Sequence, residues 1–256
     1  MSKIKIFISA LSVLLAAALP AEVIMKLDFD KDFNSGNLPL NGKVSGVSWR
    51  STSDPHSFAL VKTPAASKPH ALKILRDGSS GRIVFSPQKA IAPMRNYSMQ
   101  FKVYLVQGDG TVLHFHNGKQ LLGGIHMASG SVMKAYNITQ GWENNEGAPE
   151  LPLEQWVAIR VNFDANRGFY TIDTALPGGK IHNGTTQFPF IVPGPVNEWH
   201  FLNILPQKNY AFVDDLLLTC DDSISLSGRT DFAPECTSGN AAFNRMLSGK
   251  AVGAAG

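Results

Sequence analysis

Four segments of the chain carry ionisable, aromatic and amide side chains at alternating positions, the spacing that places side chains on one face of a β-strand. In residues 97–105, 111–116, 132–138 and 155–163, apolar positions of one set predict a buried face, and the other set predicts an outward face. The outward set contains basic, aromatic and amide residues but no Asp or Glu. Its members are Gln100, Lys102, Tyr104, His114, His116, Lys134, Tyr136, Arg160 and Asn162.

These residue types suit an anionic, sugar-containing ligand. Arg and Lys pair with carboxylate or sulfate groups, and Tyr rings can stack against the faces of sugars. If the four strands share one sheet, they predict an electropositive face with aromatic surface. The alternative is that they are ordinary polar positions of strands that lie in different sheets.

The elements that carry these residues are predicted to be strands throughout. Short apolar-periodic runs alternate with Gly, Pro, Asn and Ser, and no window of a dozen residues sustains a helical stripe. This pattern predicts an all-β antiparallel β-sandwich, or jelly roll. The predicted strands are 23–29, 57–61, 70–75, 81–85, 97–106, 111–116, 120–127, 132–138, 155–163, 168–174, 198–205 and 210–219.

The first 21 residues have the pattern of a secretory signal peptide. Lys3 and Lys5 precede an apolar run, which ends in small residues at 16–21. We therefore expect a secreted protein, extracellular or periplasmic, with no membrane segment in its mature form. One sandwich domain is predicted over residues 22–236, followed by a flexible C-terminal tail over 237–256.

The charge balance excludes a general attraction to nucleic acid. The formal net charge is only +3, and removal of the leader would take two of these charges away. With 17% charged residues in 256, the chain is also unlike a disordered polyelectrolyte or a coiled coil. The sequence does not predict an oligomeric state.

Export would place the two cysteines in an oxidising compartment. Cys220 and Cys236 are then predicted to form a disulfide, with two free thiols as the alternative. The bridge would hold the segment after the last strand against the domain. Two thiols alone do not make a structural zinc site.

Acidic residues lie on the first and last predicted strands. Asp28, Asp30 and Asp214 could meet when the sandwich closes and hold a structural calcium ion, because carboxylate oxygens are the ligands that calcium prefers. The alternative is that these side chains accept hydrogen bonds from backbone amides. No required cofactor is predicted. His114 and His116 could form half of a metal site, but no third ligand is evident.

Four stretches of the chain resemble the concanavalin A-like lectin/glucanase superfamily, in particular its laminin-G-like and polysaccharide-lyase-like sandwiches. They are the opening strand at 27–30, the strand at 97–104, the strand and hairpin at 155–168, and the closing strand at 212–218. The resemblance implies the sandwich fold. It also implies a protein that binds glycans, hydrolyses them or cleaves acidic ones by elimination.

For an enzyme, the resemblance favours a lyase over a glycoside hydrolase. The paired carboxylates that a retaining hydrolase needs on one strand are missing, and the acidic segment 142–146 is predicted to be a solvated flap. In a lyase, His114, His116 and Tyr136 would transfer protons while Arg160 neutralised the uronate. The substrate-binding residues would be Gln100, Lys102, Tyr104, Lys134, Trp142 and Asn162.

The sequence as a whole favours a secreted carbohydrate-binding sandwich whose partner is a polysaccharide, more specifically an anionic one. A polysaccharide lyase that cleaves uronic-acid glycans by β-elimination is the first alternative. A laminin-G-like adhesion module with a protein partner is the second. Whether the His, Tyr and Arg residues share one face decides whether the catalytic hypothesis has a basis.

Overall fold

A computed structural model describes residues 22–30, 33, 36–44, 46–52, 58–66, 69–75, 81–89, 91, 96–106, 110–137, 141–165, 167–192, 194–202 and 210–220. In these residues the chain forms eighteen β-strands and no helix. The all-β prediction is therefore confirmed. No helix in the described ranges could span a membrane.

The strands, numbered in chain order, form two sheets in which neighbouring strands are antiparallel. Sheet A contains, in spatial order, β15 (Ile181–His182), β14 (Phe169–Ala175), β13 (Trp156–Asp164), β8 (Asn96–Leu105), β18 (Tyr210–Cys220), β6 (Ala71–Leu75), β5 (Phe58–Val61) and β2 (Gly36–Asn37), with β1 (Glu22–Leu27) beside β18 and β16 (Phe188–Pro189) beside β14.

Sheet B forms the other layer of the sandwich. Its spatial order is β12 (Gly141–Asn144), β11 (Lys134–Asn137), β10 (Gln120–Met127), β9 (Thr111–Asn117), β17 (Glu198–Leu202), β7 (Arg82–Pro87), β4 (Val47–Ser51) and β3 (Asn41–Val44).

The core between the sheets is rich in aromatic rings. Phe101 of sheet A meets Phe201 of sheet B edge-on, with ring centroids 5.4 Å apart. Phe163 of sheet A meets Phe115 of sheet B in the same way at 4.9 Å. All four rings are fully buried. The alternating apolar positions that predicted the inward faces of β8, β9 and β13 therefore do form the core.

All twelve predicted strands are present, and six further strands were not predicted. The hairpin of β3 and β4 was missed because its sequence is polar and interrupted by glycine. One of those glycines has a packing role, since a Cβ at Gly42 would lie 1.9 Å from the ring of Trp49. β12 was predicted to be a solvated flap, and this prediction is wrong because Gly141–Asn144 pairs with β11 as the edge strand of sheet B.

Candidate functional site

The structure divides the predicted site residues between the two sheets. Sheet A carries Gln100, Lys102 and Tyr104 on β8 and Arg160 and Asn162 on β13. Sheet B carries His114 and His116 on β9, Lys134 and Tyr136 on β11, and Trp142 on β12. The two groups point away from the core on opposite sides of the sandwich. The condition that all of them share one face is therefore not met, and Arg160 does not join His114 and Tyr136.

Three residues of the sheet A group are buried and contact carboxylates of other strands. They are Lys102, Arg160 and Asn162. The guanidinium of Arg160 lies 2.5 Å from a carboxylate oxygen of Asp173 on β14, which also accepts a hydrogen bond from Asn162 at 2.9 Å. Lys102 lies 3.0 Å from a carboxylate oxygen of Asp215. The predicted outward set contains no Asp or Glu, but the outer face of this sheet does, because pairing of β13 with β14 places Asp173 beside Arg160.

Gln100 and Tyr104 complete the sheet A group. Gln100 is fully buried, and its side-chain amide makes no hydrogen bond to any residue in the described part of the chain. Tyr104 is half-buried and packs against Trp156 and Phe212, at centroid distances of 5.4 and 5.8 Å. The described arrangement of sheet A therefore does not present its five predicted residues as an open binding face.

The sheet B group lies on a continuous outer face that we call the histidine face. The pairing register of seven strands places the central residues of this face in one row across the sheet. Gly124 and Tyr136 are neighbours in this row, because each lies one position beyond the Ile125–Ala135 pair. The row consists of Trp142, Tyr136, Gly124, His114, His200, Val84 and Arg50. The flanking rows add Lys134, His126, Val112, Leu202 and Arg82 on one side and His116 and Glu198 on the other.

Trp142 bends back from the edge strand over the middle of this face. Its ring lies 6.2 Å from that of His114 and nearly parallel to it, although their strands are three places apart. Three strand spacings correspond to about 14 Å of backbone separation. Tyr136 and His126 support the indole at centroid distances of 5.2 and 5.8 Å. The result is a half-exposed indole held by three other rings.

Gly124 leaves room for this arrangement because it has no side chain. A Cβ at Gly124 would lie 2.7 Å from Cδ2 of His114 and 2.9 Å from the carbonyl oxygen of Leu113. Contacts of that length are too short for real Cβ atoms, so this position of β10 requires glycine. The gap lies between His114 on one side and Tyr136 on the other.

A chain of hydrogen-bonded and stacked groups lies beside the tryptophan cluster. His116 stacks on His200 with ring centroids 3.8 Å apart and an interplanar angle of 8°. Nε2 of His200 lies 2.8 Å from a carboxylate oxygen of Glu198. The guanidinium of Arg50 donates to both carboxylate oxygens of Glu198, at 2.9 and 3.0 Å.

His114 and His116 are uncharged at neutral pH. Burial, with smaller contributions from His200 and nearby cationic groups, lowers the pKa of His114 and of His116 to about 4. Burial also lowers the pKa of His200 and outweighs the opposing effect of Glu198. Burial alone would raise the pKa of Glu198, but hydrogen bonds from His200 and Arg50 hold it below its ordinary value.

The charges on the histidine face leave a local positive excess. Glu198 is already paired with Arg50. Among the described residues, neither Arg82 nor Lys134 has an ion-pair partner, and both are half-buried. They lie four strands apart in one row, a separation of about 19 Å. An anionic group could therefore meet an uncommitted cation near either end of the row.

The predicted calcium residues serve backbone amides. Asp28 accepts a hydrogen bond from the amide of Asp30, and Asp30 from that of His70, each at 3.3 Å. Asp214 accepts from the amides of Ala66 and Asp215. Within the described ranges, no three His, Cys, Asp or Glu side chains form a group that could hold a metal ion. Backbone amides thus occupy oxygens of all three aspartates, and the calcium site stays a prediction.

Several residues of the histidine face were missed in the sequence, although a signal for two of them was present. The strand at 198–205 was predicted, and inward Trp199 and Phe201 would have placed Glu198 and His200 outward by the same alternation. Arg50 lies on a strand that was not predicted. Only tertiary pairing brings Arg50, Glu198 and His200 into contact.

Other predicted features fall partly or wholly outside the described residues. Cys220 is buried at the end of β18, and Cys236 lies beyond the described part of the chain, so the disulfide stays a prediction. The same is true of the leader at 1–21 and the tail at 237–256.

No protein-family model and no curated protein sequence matches the chain. Solved structures do match its fold. They include the carbohydrate esterase of the Shiga toxin-encoding bacteriophage phi24B, at 10% identity and a TM-score of 0.51 over 78% of this chain and 99% of the other. A structure titled sialidase matches with 9% identity and a TM-score of 0.52, over 78% of this chain but only 19% of that protein.

A third match is the catalytic domain of a glycoside hydrolase family 131 protein from Coprinopsis cinerea. It is 13% identical with a TM-score of 0.51, over 69% of this chain and 84% of the other. Identities this low carry information about the fold alone. The two-layer antiparallel topology and these matches together show that the chain has a concanavalin A-like, jelly-roll β-sandwich fold.

Proposed function

We propose that the protein is a secreted carbohydrate-binding β-sandwich that engages an acidic polysaccharide through the histidine face. The observation that carries this proposal is the half-exposed indole of Trp142, held over Gly124 by His114, His126 and Tyr136. A flat aromatic surface held in place by other rings can stack on a sugar ring at little cost in side-chain entropy. Secretion rests on the leader pattern of the sequence.

The acidic character of the ligand is inferred from the charges on the same face. Arg82 and Lys134 have no ion-pair partner in the described structure, and Glu198 is neutralised by Arg50. Because Arg82 is half-buried, a carboxylate or sulfate beside it would be screened less than on an open surface. The face therefore favours a polysaccharide whose acidic groups recur along the chain.

Affinity electrophoresis in gels containing polysaccharide tests both parts of the proposal. The acidic probes are polygalacturonate, alginate and carboxymethyl cellulose, and the neutral probe is hydroxyethyl cellulose. Trp142→Ala should weaken retardation by any bound glycan at least about tenfold, since a supported Trp is a typical binding hot spot. Trp156→Ala, which changes a tryptophan on the opposite sheet, is the matched control.

Arg82→Gln separates acidic from neutral recognition. It should weaken binding of the acidic probes by about tenfold, the loss expected for a charge-assisted hydrogen bond, and leave neutral binding unchanged. Arg167→Gln, at an exposed arginine on sheet A's β13–β14 turn, should change neither. If no glycan is retarded by the wild-type protein, the carbohydrate proposal fails and a protein partner becomes the better hypothesis.

The predicted lyase loses its uronate neutraliser, because Arg160 lies on the other sheet. A lyase without Arg160 is the second candidate only because His114 and Tyr136 flank Gly124 on the histidine face. Elimination needs a base near the sugar C5 proton and an acid near the leaving oxygen, and two such groups are present there. However, an imidazole with a pKa of about 4 is a weak base at neutral pH. Binding is therefore placed first. Ultraviolet absorbance of unsaturated uronate during incubation with polygalacturonate or alginate would favour the lyase.

A further inference from the structure

Tyr170 reaches from sheet A through the core to the backbone beneath the histidine face. Its side chain is fully buried. Its hydroxyl lies 3.0 Å from the carbonyl oxygen of Gly124 and 3.2 Å from that of Tyr136, so it can donate to either. These carbonyls belong to neighbouring strands, β10 and β11, just beyond the last pair of their ladder, Ile125–Ala135. The hydroxyl therefore links the two strands where their mutual pairing ends.

The surroundings of the Tyr170 ring fix its position closely. Its centroid lies 5.2 Å from that of Phe115, in an edge-on contact. A Cβ at Gly123 would lie 2.9 Å from Cε1 of Tyr170. Gly123 thus makes room for the tyrosine on the core side, as Gly124 makes room for His114 on the outer side. The two adjacent glycines allow side chains to approach β10 closely from both faces.

The strands that Tyr170 links carry the residues of the proposed glycan site. Tyr136 is paired with Trp142 across the β11–β12 ladder, so a shift of β11 moves both rings. The Tyr170 hydroxyl contacts the carbonyl group of Gly124 from the core side. On the outer side, the same residue leaves the gap between His114 and Tyr136. A displacement at this point would change the distance between Trp142 and His114.

We propose that Tyr170 is a positioning residue that sets the spacing of β10 and β11 and so orients Tyr136 and Trp142 for the ligand. This inference rests on the proposed function of the histidine face. Tyr170 does not touch the ligand itself, since it lies on the core side of sheet B. Its effect is transmitted through the two carbonyl groups.

The test compares Tyr170→Phe with Tyr97→Phe. Tyr97 is a matched control because it is also a fully buried tyrosine of sheet A, and its hydroxyl accepts a hydrogen bond from the amide of Val196. Retardation by polygalacturonate and hydroxyethyl cellulose reports binding. The indole N–H resonance of Trp142 in ¹⁵N-labelled, ligand-free protein, assigned with Trp142→Phe, reports the position of the ring without any ligand.

Tyr170→Phe should shift the Trp142 resonance and weaken binding about fivefold, whereas Tyr97→Phe should do neither despite a similar loss of stability. Gly123→Ala, which pushes the Tyr170 ring, should also shift that resonance and serves if Tyr170→Phe does not fold. An unmoved Trp142 resonance, or equal effects of both tyrosine variants, overturns the inference. Failure of the wild-type protein to bind either probe refutes the proposed function, while the resonance still decides whether Tyr170 positions Trp142.

Discussion

Arg160 shows how a residue that suits catalysis can be committed to another task. It is 3% exposed and paired with fully buried Asp173, which also accepts a hydrogen bond from the side-chain amide of Asn162. Such a cluster satisfies buried charge within the protein and leaves the guanidinium little freedom to meet a uronate. At this site, the neighbouring strand decides the role of the residue.

We predict that Asp173→Asn destabilises the protein by about 3 kcal/mol, because Arg160 would lose its buried carboxylate partner. Urea unfolding followed by circular dichroism measures this change. Arg167→Gln, which breaks a longer pair of 3.9 Å between an exposed arginine and Asp164, should cost about 0.5 kcal/mol or less. Folded Asp173→Asn should bind the acidic probes as tightly as the wild type does. A loss of binding confined to the acidic probes would show that Arg160 takes part in ligand binding.

β10 shows how an element combines two roles through its glycine pair. Gly123 faces the core and Gly124 faces outward, so a single strand admits Tyr170 from one side and the His114 ring from the other. A Gly-Gly sequence inside a strand is unfavourable by intrinsic propensity. Close packing on both faces accounts for its presence here.

Gly124→Ala should both destabilise the fold and impair the histidine face. The added methyl group would meet His114 and the backbone of Leu113 at 2.7 and 2.9 Å, and overpacking of this kind costs about 1–3 kcal/mol. The control is Gly194→Ala, where a Cβ meets only the side-chain amide of Asn117, at 3.0 Å. Thermal unfolding and polygalacturonate binding are the measurements. Unchanged binding by folded Gly124→Ala would show that the gap beside Trp142 is not used.

The free energy of unfolding of the whole molecule should depend on His114 and His116 being neutral. The pKa of His114 and of His116 is about 4 in the folded protein, against about 6.5 for an exposed histidine in the unfolded chain. The unfolded state therefore takes up protons first as the pH falls. Their neutral forms favour folding fully above pH 6.5, and this contribution is lost as the pH falls from about 6.5 to 4.

We expect the melting temperature to fall over that pH window. The two stacked rings of His116 and His200 lie near Arg50, Arg82 and Glu198. A proton added to either ring would meet two fixed cations and a single carboxylate that is already paired with Arg50. His116→Gln, which removes one titrating ring, should flatten the dependence on pH. Equal slopes for the variant and the wild type between pH 4 and 6.5 would contradict this account.

The sequence by itself determined the fold class, twelve of the eighteen described strands and the inward faces of β8, β9 and β13. These features depend on local apolar alternation, which requires only that one side of each strand be buried. It also identified His114 and Tyr136 as candidate catalytic residues of a lyase and Trp142 as a candidate binding residue. Short strands such as β3 and β12 were beyond it, because their polar, glycine-containing sequences lack apolar alternation, although each pairs with a strand next to it in the chain.

Tertiary structure alone decided which outward faces belong together. Strand alternation gives the direction of a side chain but not the sheet in which the strand lies, since pairing partners are set by long-range contacts. The strand order placed Arg160 of β13 in the sheet opposite His114 and Tyr136, and pairing of β9 with β17 brought His200 and Glu198 to His116. The sequence thus predicted the kinds of side chains involved, and the order of strands determined which of them could act together.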